Sequence, residues 1–414
     1  MFQKGDRIRI RKDQAVLKRQ LGFGTFGEAW KATRCSNQEP IVIKRLRSCN
    51  DDQLLRMKAI GALRLSERLV GTASISEVLL PRGKRDWIGC VMPYAVGISL
   101  EEWLNHRPEF NILDNLLVAQ QIAKTVADAH SLGIAHGDLH PRNSIICNYK
   151  GVPLTTLIDW DNAAIAGMPP PASPGRKHFL APEAMEAVLR NEHYPPDIKT
   201  ERCSVAKVLH WVFTGRHCFQ TSDEREFEEA AIQGRWNSDP ADGPADIDVL
   251  GGVSNQYLNP ELSDLFRRAF GRERDNRPAM DEWLSALRSL LDEGVPQCEA
   301  CGGPMLPAVR THCPYCNSPF HGLVAITSHG HRFAANGTPI LIGRDTLSSS
   351  RVSLRHAVIT QMGPETFITD LGSKNGTFRR GSNKWIRLPG HKQCLIRPGD
   401  KIRLGDVELQ IIGA

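Results

Sequence analysis

The spacing of apolar and polar positions changes character along the chain. Up to about Pro93, short runs alternate like strands, as in EAWKAT (28–33) and PIVIKRL (40–46), which predicts a β-rich region. From there to residue 292 longer stretches carry a helical period, as in NILDNLLVAQQIAKTVADAHSLG (111–133), which predicts an α-rich region. The helical run DEWLSALRSLLDE (281–293) stops at Gly294 and Pro296, so a boundary falls between Leu291 and Gln297. A second falls near Phe320 to Gly322. Beyond it PILIGR, HAVIT, TFITDL and VELQII alternate with GS, NG and PGD turns, the pattern of a small all-β sandwich. Three domains are expected, 1–292, 297–321 and 322–414, and 414 residues give room for them. The stretch MPPPASPG (168–175) can continue neither a helix nor a central strand.

Composition excludes the collagen-like and wholly disordered classes, with 41% hydrophobic and 24% charged residues. No apolar run approaches the roughly 18 residues of a membrane span, and the start MFQKGDRIRIRK lacks the apolar core of a secretory signal. A cytoplasmic protein with no membrane partner is expected. The net charge of +6 is concentrated: residues 323–414 hold 13 Lys+Arg against 6 Asp+Glu, leaving −1 for the rest. That excess asks for an anion. The basic residues are scattered through strand-like alternation with no Lys/Arg block and interleaved aromatics, so a phosphate group is expected rather than nucleic acid.

Of 11 cysteines, seven are scattered singly, which argues against a secreted disulfide framework, while Cys298, Cys301, Cys313 and Cys316 form two CxxC pairs. Four thiolates at tetrahedral geometry select Zn²⁺ in a closed structural site, and so short a segment cannot bury enough core to fold alone. The segment resembles a zinc ribbon, a rigid spacer rather than a catalytic centre. Redox pairs or plain buried thiols are the alternative.

In the first 292 residues Gly22, Gly24 and Gly27 form GxGxxG. A dinucleotide fold needs a helix directly after the third glycine, but EAWKAT reads as a strand, so a hairpin covering phosphates fits better. Lys44 lies 17 positions after Gly27 in an apolar run, a cation that needs an anionic partner. In IAHGDLHPRNSII, Asp138 and Asn143 are five apart, and Asp159 follows in LIDWDNA. One carboxylate and one amide oxygen, Asp159 and Asn143, suit Mg²⁺ bridging nucleotide phosphates, while Asp138 is the group to accept a proton from the attacking hydroxyl.

With these motifs in order, residues from about 15 to 292 resemble the protein kinase family, with VIK, HGD and DWD in place of its VAIK, HRD and DFG motifs. The resemblance implies a bilobal α+β fold and ATP as phosphoryl donor. It implies that Lys44 contacts the α- and β-phosphates, that Asp138 is the base, and that Asn143 and Asp159 hold Mg²⁺. Backbone groups of Pro93 and Ala95 would bind adenine. HGDLHPRN and IDWD are also close to small-molecule kinases of the aminoglycoside type. FLAPE (179–183), TGRHCF (214–219) and RDNRP (274–278) instead resemble protein kinase motifs, and imply a buried Glu183–Arg277 pair and a protein substrate.

Several positions depart from the family. Gly137 replaces the arginine that would grip a phosphorylated activation loop, and Ser173 is the one hydroxyl between Asn162 and Leu180. His140 stands where Ser/Thr kinases carry a lysine, and Asp161 replaces the DFG glycine, where it should stiffen the hinge and add negative charge near the metal. No glutamate lies between Arg45 and Ser66, so Glu67, or else Asp51 or Asp52, is the candidate partner of Lys44.

Past residue 322, LIGRD, VSLRHA, DLGSKNGTF and IRPGDKIRLG together resemble the forkhead-associated (FHA) domain, an all-β reader of phosphothreonine. The resemblance implies that Arg344 and Ser353 contact phosphate, that Arg355 adds charge, and that Ser373 and Asn375 hold the peptide backbone and adjoining loop. His356 and Gly376 would support loop geometry. The expected protein is thus multidomain: a kinase-like domain, a small zinc ribbon and an FHA sandwich. ATP, Mg²⁺ and Zn²⁺ are its expected cofactors. A protein substrate, a phosphothreonine-containing protein and a cognate phosphatase are its expected partners, in an architecture that resembles bacterial Ser/Thr kinases. A catalytically silent scaffold is the rival reading.

Overall fold

The computed structural model describes residues 2–236, 260–292, 324–327, 332–334 and 339–412, apart from 12, 25–26, 48–49, 82–86, 107–111, 172, 216, 220, 222, 363–364, 382–383 and 398. Cys298, Cys301, Cys313 and Cys316 lie outside the described residues, as does the whole expected ribbon. The chain divides into two compact units, Met1–Gln256 with Leu262–Gly294, and Tyr257–Glu261 with Val295–Ala414.

The first unit opens with an antiparallel sheet in the order Arg7–Ile10, Asp13–Gly24, Gly27–Arg34, Pro40–Leu46, Ile88–Pro93, Glu77–Leu79. Alternation dictates which face is buried: Trp30 and Ala32 on one strand and Ile41 and Ile43 on the next join Ile10, Leu17 and Val91 in one cluster. Each such side chain contributes about 1.5–3 kcal/mol on burial. The β-rich expectation up to Pro93 is interrupted by a helix, Asp51–Leu63. Asn50 caps it by accepting from the Gln53 amide at 2.7 Å, and Asp51 and Asp52 complement the positive end of its dipole.

The α-rich half is built around helix Ile112–Ser131, whose apolar stripe of Leu116, Ala119, Ile122, Ala123 and Val126 is fully buried. It packs against helices Ile198–Thr214 and Met280–Asp292. A hairpin, Ser144–Tyr149 with Val152–Ile158, lies beside it, and its register sets Ser144 opposite Leu157. Asn143 and Asp159 flank those two strand ends, so one hairpin brings both to the same edge.

The second unit is a sandwich, as expected. A sheet in the order Arg332–Ala334, Val324–Thr327, Val407–Ile412, Lys401–Leu404, Thr377–Arg380, Trp385–Arg387 accompanies a four-stranded sheet, Ile340–Ile342, Ala357–Met362, Glu365–Asp370, Gln393–Ile396. Ile342, Ile359 and Ile368 from one sheet and Ile402, Leu404 and Leu409 from the other form one buried cluster. Among the described residues no helix is long and apolar enough to cross a membrane.

Candidate functional sites

The glycine motif forms a hairpin, with Gly24 opposite Gly27 and Phe23 opposite Glu28, and a strand follows it. At Gly27 φ is +155°, and a Cβ would sit 2.0 Å from the Arg45 carbonyl oxygen, so only glycine fits. At Gly22 a Cβ would meet nothing within 4 Å, which leaves open space beside the hairpin.

Lys44 stands opposite Ala29 on one neighbouring strand and Cys90 on the other, which sets it in the middle of the sheet. Its Nζ donates to Asp159 Oδ1 and, at 2.9 Å, to Asp161 Oδ1. Burial works against the ammonium, but the two carboxylates outweigh it and raise its pKa. The expected partners are therefore corrected: exposed Glu67 pairs with Arg64 at 2.8 Å, and Asp51 and Asp52 are exposed in the first turn of their helix. What that helix does bring to the site is Arg56, 3% exposed, donating Nη1 to the Pro170 carbonyl at 3.0 Å.

Asp159 has left-handed geometry, with φ +69°, at the start of the 3₁₀ turn Trp160–Asn162. Burial would raise its pKa, but Lys44 holds it below the usual carboxylate range. Asp161 goes the other way: burial and then the Asp159 charge push it up to about 7. Burial and the neighbouring Asp159 charge thus work against the extra negative charge expected at Asp161, while Lys44 favours it.

Asp138 Oδ1 accepts from the Arg176 amide at 2.9 Å, and burial raises its pKa. Asn143 donates Nδ2 to the Asp138 carbonyl at 2.9 Å, which commits the nitrogen and leaves Oδ1 for other use. Asp138 feels both Asp159 and Lys44 electrostatically, so the two acids and the lysine share one cleft. His140 Nδ1 accepts from the Arg142 amide, and Nε2 lies 3.8 Å from Asp138 Oδ2. Burial, then the Arg176 charge, push His140 down to about 3, so the ring is neutral.

Gly137 has φ +78°, and a Cβ there would lie 2.2 Å from the Asn162 carbonyl oxygen. The backbone path itself excludes an arginine. Asn162 donates Nδ2 to the carbonyls of Gly137 at 2.9 Å and Ser173 at 3.2 Å, and the Gly137 amide donates to Glu201 Oε1 at 3.0 Å. Glu201, 3% exposed, also meets His130 Nε2 at 2.7 Å. Glu201, Asn162, Arg56 and the Arg176 amide are not among the sequence candidates. The one available signal is a glutamate on the buried face of helix Ile198–Thr214.

Glu183 and Arg277 form a bidentate pair at 2.7 and 2.6 Å, and Arg277 is 1% exposed. A cleft of about 230 Å³ nearby is lined by Arg142, Arg176, Phe179, Trp211 and His217 among others. Pro93 ends its strand opposite Ile41, and half-buried Ala95 follows in the link to the helical half.

In the second unit three loops meet. The Arg344 amide donates to the Ser353 carbonyl at 2.9 Å, the Lys374 amide to Ser353 Oγ at 3.1 Å, and Asn375 Nδ2 to the Arg351 carbonyl at 2.7 Å. Buried His356 links Ser353 and Gly376. Arg344 donates Nε to the Val352 carbonyl at 3.1 Å but is otherwise exposed, as are Arg351, Arg355 and Lys374. Ser373 departs from the expected peptide-facing role: it is 7% exposed and donates Oγ inward to Asp370 at 2.7 Å, with Thr377 doing the same at 2.6 Å.

Residues 340–405 match the FHA domain, and residues 15–287 match the protein kinase domain. Over 285 residues the chain is 24% identical to the serine/threonine-protein kinase ULK3 of Xenopus laevis, covering 67% of this chain and 55% of that protein. It is 26% identical over 269 residues to PknK of Mycobacterium tuberculosis (63% and 22%) and 24% identical over 284 residues to PrkC of Bacillus subtilis (64% and 40%). The chain therefore spans about half or less of these relatives. The kinase match runs from the strand that carries the glycine hairpin to helix Met280–Asp292, about two thirds of the chain, and on that extent this chain belongs to the protein kinase family.

Proposed function

We propose that this chain is an ATP- and Mg²⁺-dependent Ser/Thr protein kinase whose FHA domain recruits phosphothreonine-containing partners. The observation that carries the reading is the Asp138 carboxylate, held at Oδ1 by the Arg176 amide and raised in pKa by burial, beside an asparagine whose nitrogen is already committed. Oxygen donors suit Mg²⁺, so Asn143 Oδ1 and Asp159 would hold it. When bound, the metal neutralises charge on the nucleotide phosphates. Lys44 would engage those phosphates, the hairpin of Gly22, Gly24 and Gly27 would cover them, and backbone groups of Pro93 and Ala95 would take adenine. Asp138 Oδ2 would accept the proton of the substrate hydroxyl, while neutral His140 adds no competing charge.

The Glu183–Arg277 pair behind the segment that carries Arg176 favours a protein substrate over a small molecule. In the reader, exposed Arg344 and Arg355 with Ser353 would bind phosphate and Asn375 the peptide, with Ser373 supporting the loop. The relatives named as Ser/Thr kinases support the residue preference. Cys298, Cys301, Cys313 and Cys316 would bind a structural Zn²⁺, to be checked by zinc content of the reduced protein. A cytoplasmic setting and a cognate phosphatase complete this reading.

A nucleotide-binding scaffold is the second reading, favoured by the tie of Lys44 to two acids. Incubation of the full chain with radiolabelled ATP and Mg²⁺, beside Asp138→Asn and Asp159→Asn, separates the two. Label on Ser or Thr that disappears in both variants supports the kinase; ATP binding without label supports the scaffold.

A further inference from the structure

The geometry points to Asp161 as the positioning residue that holds Lys44 for the nucleotide phosphates, in place of an acidic residue on helix Asp51–Leu63. The inference rests on the nucleotide-site reading above. Lys44 is largely buried and has two carboxylate partners, and Asp161 meets it at 2.9 Å. Asp159 is the acid that would turn to a metal, which removes it as a full-time partner. Asp161 has no such second duty and stays.

The residues on both sides of Asp161 are anchored. Trp160 is fully buried, with its ring 4.6 Å from His136 and its Nε1 donating to the Leu157 carbonyl at 3.2 Å. Asn162 is tied to the carbonyls of Gly137 and Ser173. A side chain between two anchored neighbours loses little freedom on holding an ammonium. The helix plays the opposite electrostatic part to the one expected. It packs on the Trp160–Asn162 turn and presents buried Arg56, whose charge acts on Asp161, so the helix steadies the acid and leaves the lysine to the turn. Displacing the helix would then leave the Lys44 partner in place.

The test compares equilibrium binding of ADP and adenosine to the full chain in the wild type, Asp161→Asn, Asp161→Glu and Lys44→Met, with KM for ATP and kcat measured alongside. Adenosine has no phosphate for Lys44 to contact. The expected result is that Asp161→Asn weakens ADP about tenfold, the loss of one charge-assisted hydrogen bond, with adenosine unchanged. KM for ATP should rise with kcat changed less, Asp161→Glu should recover part of the loss, and Asp161→Asn should add nothing in the Lys44→Met background. Equal weakening of ADP and adenosine would mean general damage and overturn the inference, as would ADP binding that is unchanged or tighter. A wild type that binds neither ligand would remove the nucleotide-site reading, and this inference with it.

Discussion

The catalytic cleft and the reader loops each present cations suited to phosphate, but they keep them in opposite states. Lys44 is half-buried and already bonded to Asp159 and Asp161. Arg344 is exposed, steadied by one bond from Nε to a carbonyl, and stands among Arg351, Arg355 and Lys374. The acid that stiffens the reader, Asp370, points away into Ser373, Thr377 and the Gly372 amide. On the proposed reading, an anion entering the cleft would have to exchange ion pairs, whereas one entering the reader would need only to dock. The first arrangement would make binding conditional; the second would make it immediate and salt-sensitive.

The largest effect that can break this comparison is expected at the base. Asp138→Asn should lower phosphoryl transfer by about 10³-fold, within the usual range for a lost general base, while phosphopeptide affinity stays at the wild-type value. Radiolabel incorporation and fluorescence anisotropy read the two arms; retained transfer would remove Asp138 from its role. Next comes Arg277→Ala, which leaves Glu183 without its bidentate partner and should cost the kinase unit about 3–5 kcal/mol in urea unfolding, again sparing the reader. Arg344→Ala should weaken a phosphothreonine peptide by about tenfold or more without changing transfer to a peptide substrate. Unchanged affinity would place the phosphate elsewhere.

The last effect is confined to acid pH and is absent at neutrality. His140 is pushed down to about 3 in the fold against 6.5 for an ordinary histidine, so between those values the unfolded chain takes up a proton that the native one excludes. Its contribution is complete above 6.5 and is lost as pH falls toward 3, by up to about 1.4 kcal/mol per pH unit. His140→Asn should flatten that part of the stability profile. His356 is lowered by burial too, so acid sensitivity of the same sign is expected in the reader.

Residues whose chemistry depends on neighbours along the chain are legible in the sequence. Asp138 and Asn143 are five apart in one loop, Lys44 stands in an apolar strand, and the FLAPE and RDNRP words lead to Glu183 and Arg277. Partnership through space is not legible in the same way. Nothing local marks Glu201 as the acceptor for Gly137 sixty-four residues earlier, or Arg56 as the donor to Pro170. Asp161 reads as a departure from a glycine because the sequence cannot say that a 3₁₀ turn aims its carboxylate at Lys44. Residue type alone points to Glu67, the first glutamate after Lys44, yet that residue belongs to a short helix, is exposed and pairs with Arg64. Ser373 carries the right side chain at a loop tip, but a buried aspartate takes its hydroxyl.

Gly137 has a consequence for timing. Its positive φ and the Asn162 carbonyl leave no room for the side chain that would grip a phosphorylated loop, and the Pro-rich segment is instead held by Arg56 at Pro170 and His193 at Pro171. Those clasps are made of uncharged carbonyls that no phosphatase can remove. On the kinase reading proposed above, this segment would keep its place with or without a modification on it, and timing would rest with substrate supply.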